Sequence, residues 1–123
     1  MTPKNRKQKG RRLQHYVGAL IAEALGLRFG KDQDVESRPM GQSGTDVIIR
    51  PPHFERLPYA IECKNTEKWT VPQYIEQAEG YATAQKHLFK GWLLFLKKNN
   101  SKVYVVMDED TFVDLLKKRH DHK

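Results

Sequence analysis

Residues 41–65 of this 123-residue chain, GQSGTDVIIRPPHFERLPYAIECKN, contain two carboxylates and a lysine in strand-like settings. Asp46 opens a β-branched run, and Glu62 and Lys64 close an apolar one. Side chains two apart on a strand share a face, so Glu62 and Lys64 stand together while Cys63 points the other way. If the two runs pair as a hairpin, Asp46 joins them. Two acids brought so close are unfavourable unless something divalent is shared between them. Hard oxygen ligands without a Cys or His cluster favour Mg²⁺, with Mn²⁺ able to substitute, over zinc. Lys64 beside such an ion would act as an electrophile or orient water for phosphate chemistry. A second acid-x-Lys triplet, Asp121-His122-Lys123, sits at the chain end with no strand around it.

These residues need elements to hold them. Leu13, Val17, Leu20, Ile21 and Ala24 recur at helical spacing, with Gly26 as a stop, and predict a first helix. Gln14 lies at the edge of its apolar stripe and Glu23 toward the opposite flank. Residues 34–39 read as a weak edge strand ending at Pro39. The loop Gly41-Gln42-Ser43-Gly44 is not a P-loop, because no Gly-Lys-Ser/Thr closes it. Residues 45–50 and 58–64 are strands by β-branched and aromatic content, separated by a Pro-rich turn region. Thr70 and Gln73 form a capping box for a helix that carries Tyr74, Ile75, Ala78, Tyr81, Ala82 and Leu88 on its apolar rhythm. Gly80 within it implies close backbone packing. Residues 91–96 and 102–107 bracket an Asn-rich turn and predict a second hairpin. Asp108 or Asp110 then caps a last helix with Phe112, Val113, Leu115 and Leu116 inward.

The length suits one domain, and no apolar run is long enough for a membrane span or signal core. The chain reads as a cytoplasmic protein. One cysteine excludes an internal disulfide framework and a Cys-based zinc site, and leaves Cys63 as a small buried hydrophobe. The net charge of +7 is concentrated at the start, where Lys4, Arg6, Lys7, Lys9, Arg11 and Arg12 precede any acid. The remainder has 16 basic and 15 acidic residues. Residues 1–9 are expected to form a flexible basic arm, residues 10–119 a single domain and residues 120–123 a tail. Such an arm suits a nucleic-acid backbone, where binding is driven by counterion release; its plain alternative is a solubilising tail. His120 and His122 read as tail composition, and Trp92 as core or interface.

The order helix, three strands, helix, strand, with Gly-x-x-Gly-Thr-Asp46 and then Glu62-x-Lys64, resembles the PD-(D/E)xK nuclease superfamily. The small size, the Lys-Gly-Arg-Arg start and the Ser-Gly loop before Asp46 most resemble archaeal-type Holliday junction resolvases, including phage-borne ones. The resemblance covers roughly residues 9–107. It implies an α/β restriction-endonuclease-like core, a mixed central sheet flanked by helices in αβββαββα order. It further implies that Asp46 and Glu62 ligate Mg²⁺, that the Cys63 carbonyl completes the site, and that Lys64 positions or activates water. Ser43 would touch the scissile phosphate. Thr45 stands where the superfamily name has proline, and Gln14 where many members have a helix glutamate. Gln77-x-x-x-Tyr81 is similar to an element that shapes the site or its DNA contacts in some members. DNA binding would then fall to Lys7, Lys9, Arg11, Arg12, Arg38, Gln42, Ser43 and Gln77. The implied activity is Mg²⁺-dependent resolution of four-way DNA junctions by a homodimer, since two symmetric cuts call for two-fold symmetry. Another small nuclease of the superfamily, or an idle DNA-binding module with a structural ion pair, are the alternatives.

Overall fold

The computed structural model describes residues 2–121. The first helix, α1 (Pro3–Leu25), begins well before its apolar stripe. Thr2 caps it, its hydroxyl accepting from the Asn5 amide at 3.2 Å, and Pro3 occupies the first turn, where a missing N–H is harmless. Gly26, at φ 69°, ends it in the left-handed conformation that glycine adopts without a Cβ clash. The residues expected as a flexible arm are therefore helical. Their polar faces need no apolar anchor once the cap and the following stripe fix the helix.

Strands β1 (Val35–Ser37) and β2 (Val47–Ile49) pair antiparallel, with Glu36 opposite Ile48. This differs from the expected pairing of β2 with the 58–64 strand. The latter, β3 (Tyr59–Asn65), instead forms a second sheet with β4 (Gly91–Lys97) and β5 (Tyr104–Val106). That sheet is mixed: β3 and β4 run parallel, with Glu62 opposite Leu94, and β4 and β5 form the expected antiparallel hairpin. A parallel pair needs a crossover, supplied by α2 (Val71–Ala84). Thr70 stands at its N-cap position but makes no side-chain capping bond, so the expected capping box is not formed.

Alternation along β3 and β4 builds a core on each face. Tyr59, Ile61, Leu93 and Phe95 pack with Leu13, Val17 and Ile21 of α1, while Ala60, Trp92, Leu94 and Leu96 pack with Ala78 and Ala82 of α2. Gly18, not Gly80, marks the close approach: a Cβ at Gly18 would collide with the Phe29 ring, whereas one at Gly80 would meet nothing. The last helix, α3 (Glu109–Asp121), is capped by Asp108, whose carboxylate accepts from the Thr111 amide at 2.8 Å. Only Leu115 of its expected inward residues packs on the core; Phe112, Val113 and Leu116 are exposed. His122 and Lys123, the end of the expected tail, lie outside the described residues. No described helix is long and apolar enough to cross a membrane.

Candidate active site

Asp46 lies one residue before β2 and is fastened to β3 on either side of Glu62. Its backbone N–H donates to the Ile61 carbonyl at 2.9 Å, and its carboxylate accepts from the Cys63 N–H at 2.7 Å. The two acids thus meet without a β2–β3 ladder. The N–H and C=O of one strand residue lie on the same edge, so the Cys63 carbonyl opens onto the Asp46 side and away from β4. Glu62 and Lys64 share the face that looks toward α2, as their spacing requires.

The loop before Asp46 is held by Arg38. Its Nε donates to the Thr45 carbonyl at 2.6 Å, its backbone N–H donates to the Asp46 carbonyl at 2.8 Å, and its guanidinium lies over Gly44. Gly44 has φ 127°, and a side chain there would strike that guanidinium. Gln42 and Ser43 are exposed and border a cleft of about 400 Å³ together with Glu62, Lys64, Tyr74 and Gln77. Tyr81 lines the same cleft and also meets the Phe89 ring, so it serves packing and site at once. The ammonium of Lys64 stands 5.5 Å from the centre of the Tyr74 ring. Tyr74 was not singled out from sequence, although it lies three residues before Gln77 and so on the same helix flank.

The electrostatics follow from burial. Glu62 is pushed up to about 8, by desolvation first, then by the charge and hydrogen bond of Asp46, with Lys64 and Arg38 opposing. Burial also raises Asp46, against the hydrogen bond from Cys63. The pair accordingly shares a proton near neutral pH. Burial, then the two acids, raise the Cys63 thiol well above its ordinary range, so it remains a thiol and offers no thiolate ligand.

A divalent ion fits this donor set. Two acids that burial leaves sharing a proton, beside an outward-facing carbonyl, are hard oxygen donors on one edge. Among the described residues no three His, Cys, Asp or Glu side chains are grouped to hold an ion. Two carboxylates with the remaining positions left to water and phosphate suit a small, hard divalent cation.

The other expected residues are dispersed. Gln14 is buried on α1, its Oε1 without a hydrogen-bond partner among the described residues. Lys7, Arg11 and Arg12 are exposed on α1. Lys9 is buried and paired with Glu67 at 3.1 Å.

A mixed sheet between helices, with Glu62 and Lys64 at the end of its edge strand β3 and Asp46 fastened beside them, defines an α/β chain of restriction-endonuclease-like architecture. Residues 5–123 match the family described as "Phage putative PDDEXK endonuclease", and the chain belongs to that family. No curated protein and no solved structure matches it. Nucleases of this superfamily generally use divalent metals, and a nuclease binds DNA.

Proposed function

We propose that the chain is a Mg²⁺-dependent DNA endonuclease and that its substrate is a branched duplex, cut by a homodimer at a four-way junction. The observation that carries the nuclease reading is the fastening of Asp46 around Glu62, with Lys64 on the same cleft. Asp46, Glu62 and the Cys63 carbonyl would hold the ion, which when bound supplies Lewis-acid polarisation of the phosphate. Lys64 reaches the cleft from the same strand as Glu62, so its ammonium can orient the attacking water or meet charge developing on phosphorus. Tyr74 restricts where that ammonium stands. Ser43 would contact the scissile phosphate, and Gln42 and Gln77, which border the same cleft, would contact DNA. Arg38 holds the loop that presents them. The junction preference and the dimer rest on the resemblance of the Ser-Gly loop, the small size and the basic start.

The test is a panel of four-way junction, flap and matched duplex incubated in Mg²⁺, with Asp46→Asn and Glu62→Gln controls. Asn at 46 retains an oxygen that can accept from Cys63, so the shape persists while the charge goes. Cleavage should fall by orders of magnitude in both variants with junction binding retained. Near wild-type cutting by either would refute the site, and equal cutting of duplex and junction would refute the junction preference.

A further inference from the structure

The end of β3 separates two hollows. Lys64 faces the cleft on the α2 side, and Asn65, next in the strand, points the opposite way and lines a groove of about 770 Å³ on the α1 side. Lys9 and Arg12 of α1 and Lys97 and Lys102 of the β4–β5 hairpin supply its cations. Among the described residues no Asp or Glu lines it. Lys9 is engaged by Glu67, which also accepts from the Asn99 amide at 2.8 Å and so ties α1 to the turn after β4. Among the described residues Lys97 donates only to the carbonyls of Lys98 and Ser101, at 3.2 and 3.0 Å, and has no carboxylate partner. Arg12 and Lys102 are exposed and have no salt bridge among the described residues. Tyr16, 54% exposed, borders the groove from α1. The buried Oδ1 of Asn65 has no hydrogen-bond partner among the described residues, while its Nδ2 donates to the Lys9 carbonyl at 3.2 Å.

We propose that this groove holds a single-stranded segment of nucleic acid, continuous with the strand cut on the other side of β3. The inference rests on the nuclease reading and adds, beside the fully paired four-way junction, a second branched substrate class: a duplex with an unpaired or displaced strand. The chemistry favours a single strand over a duplex surface. A hollow of this volume takes a small ligand or a few nucleotides. Cations that track a backbone, together with an aromatic face on which a base can stack, are the combination that binds unpaired strands without sequence preference.

Binding of a fluorescein-labelled oligothymidylate to the full chain, followed by anisotropy in EDTA, tests this without cleavage. Tyr16→Ala should weaken binding by about tenfold, as loss of one stacked base does. Tyr16→Phe should retain wild-type affinity, since the ring face carries the contact. Lys102→Ala should flatten the slope of log affinity against log salt by about 0.7, the value for one phosphate contact on a single strand. In Mg²⁺, the ratio of cleavage of a duplex with a single-stranded extension to that of a blunt duplex should fall in Tyr16→Ala. Oligothymidylate binding unchanged in all three variants would overturn the proposal, as would equal weakening of blunt duplex and single strand. If the binding pattern holds and no DNA is cut, the nuclease reading fails and the groove stands; cleavage with indifferent groove variants gives the reverse.

Discussion

Glu62 offers a thermodynamic test that needs no substrate. Its carboxyl, pushed from 4.5 up to about 8 by burial and by Asp46, holds a proton in the folded protein that the unfolded chain releases. Between those values the native state binds more protons than the unfolded state, so stability falls as pH rises. The contribution is fully present below the unfolded value near 4.5 and is lost by about 8. The interval corresponds to at most about 5 kcal/mol. Proton sharing with Asp46 and residual hydration bring this to about 2 kcal/mol, or roughly 5–10 °C in Tm for a domain of this size. Glu62→Gln has nothing to titrate and keeps the volume and hydrogen-bonding capacity. In EDTA, wild type and variant should unfold at similar temperatures near pH 5 and diverge up to pH 8, with Glu62→Gln the more stable at the upper end. Adding Mg²⁺ should raise the wild-type Tm at pH 8 and leave the variant nearly unmoved, because binding of a ligand to the native state stabilises it by mass action. Scanning calorimetry across that range is the assay. Parallel pH profiles for the two proteins would refute the shared-proton account, and an equal Mg²⁺ response would refute Glu62 as a ligand.

Lys64→Ala should lower turnover by about 10²–10³-fold with little change in DNA affinity, because its ammonium serves the transition state; lost affinity with unchanged kcat would make it a simple phosphate contact. Gln14→Glu should lower the Tm, because it buries a carboxylate on α1, and should leave the Mg²⁺ concentration for half-maximal cleavage unchanged; a reduced requirement would bring position 14 into the metal site. Gly18→Ala should destabilise by about 1–3 kcal/mol through collision with Phe29, while Gly80→Ala should stabilise by roughly 0.5–1 kcal/mol in open space. Denaturant titration of both variants checks the contrast, and a stable Gly18→Ala would disprove the packing.

The order of elements was legible because each leaves a local pattern: the apolar stripe of α1, the apolar runs of β3 and β4, the Asn-rich turn, the Asp108 cap. The proximity of Glu62 and Lys64 followed from strand geometry alone. What sequence could not supply was partner choice. β2 carries a run that pairs equally well on paper with β1 or β3, and only tertiary packing decides. The start of α1 was hidden because residues 3–12 lack apolar members, and the burial of Lys9 depends on Glu67, 58 positions away. Phe112, Val113 and Leu116 have helical spacing, but spacing cannot say which flank of α3 meets the sheet. The α1-side groove was invisible for the same reason, its cations coming from residues 9–12 and 97–102.

Because Asp46 is attached to β3 through one backbone and one side-chain hydrogen bond, and not through a ladder, the two acids do not depend on the chain between them for their alignment. The connection that leaves β2 and returns at Tyr59, including the short 3-10 turn His53–Arg56, can vary in length without shifting one carboxylate against the other. Loop closure grows only slowly more expensive with length, about 0.6 kcal/mol per doubling. That segment is therefore where relatives of this chain can accept insertions, and with them new surfaces beside the site, while its chemistry stays in register.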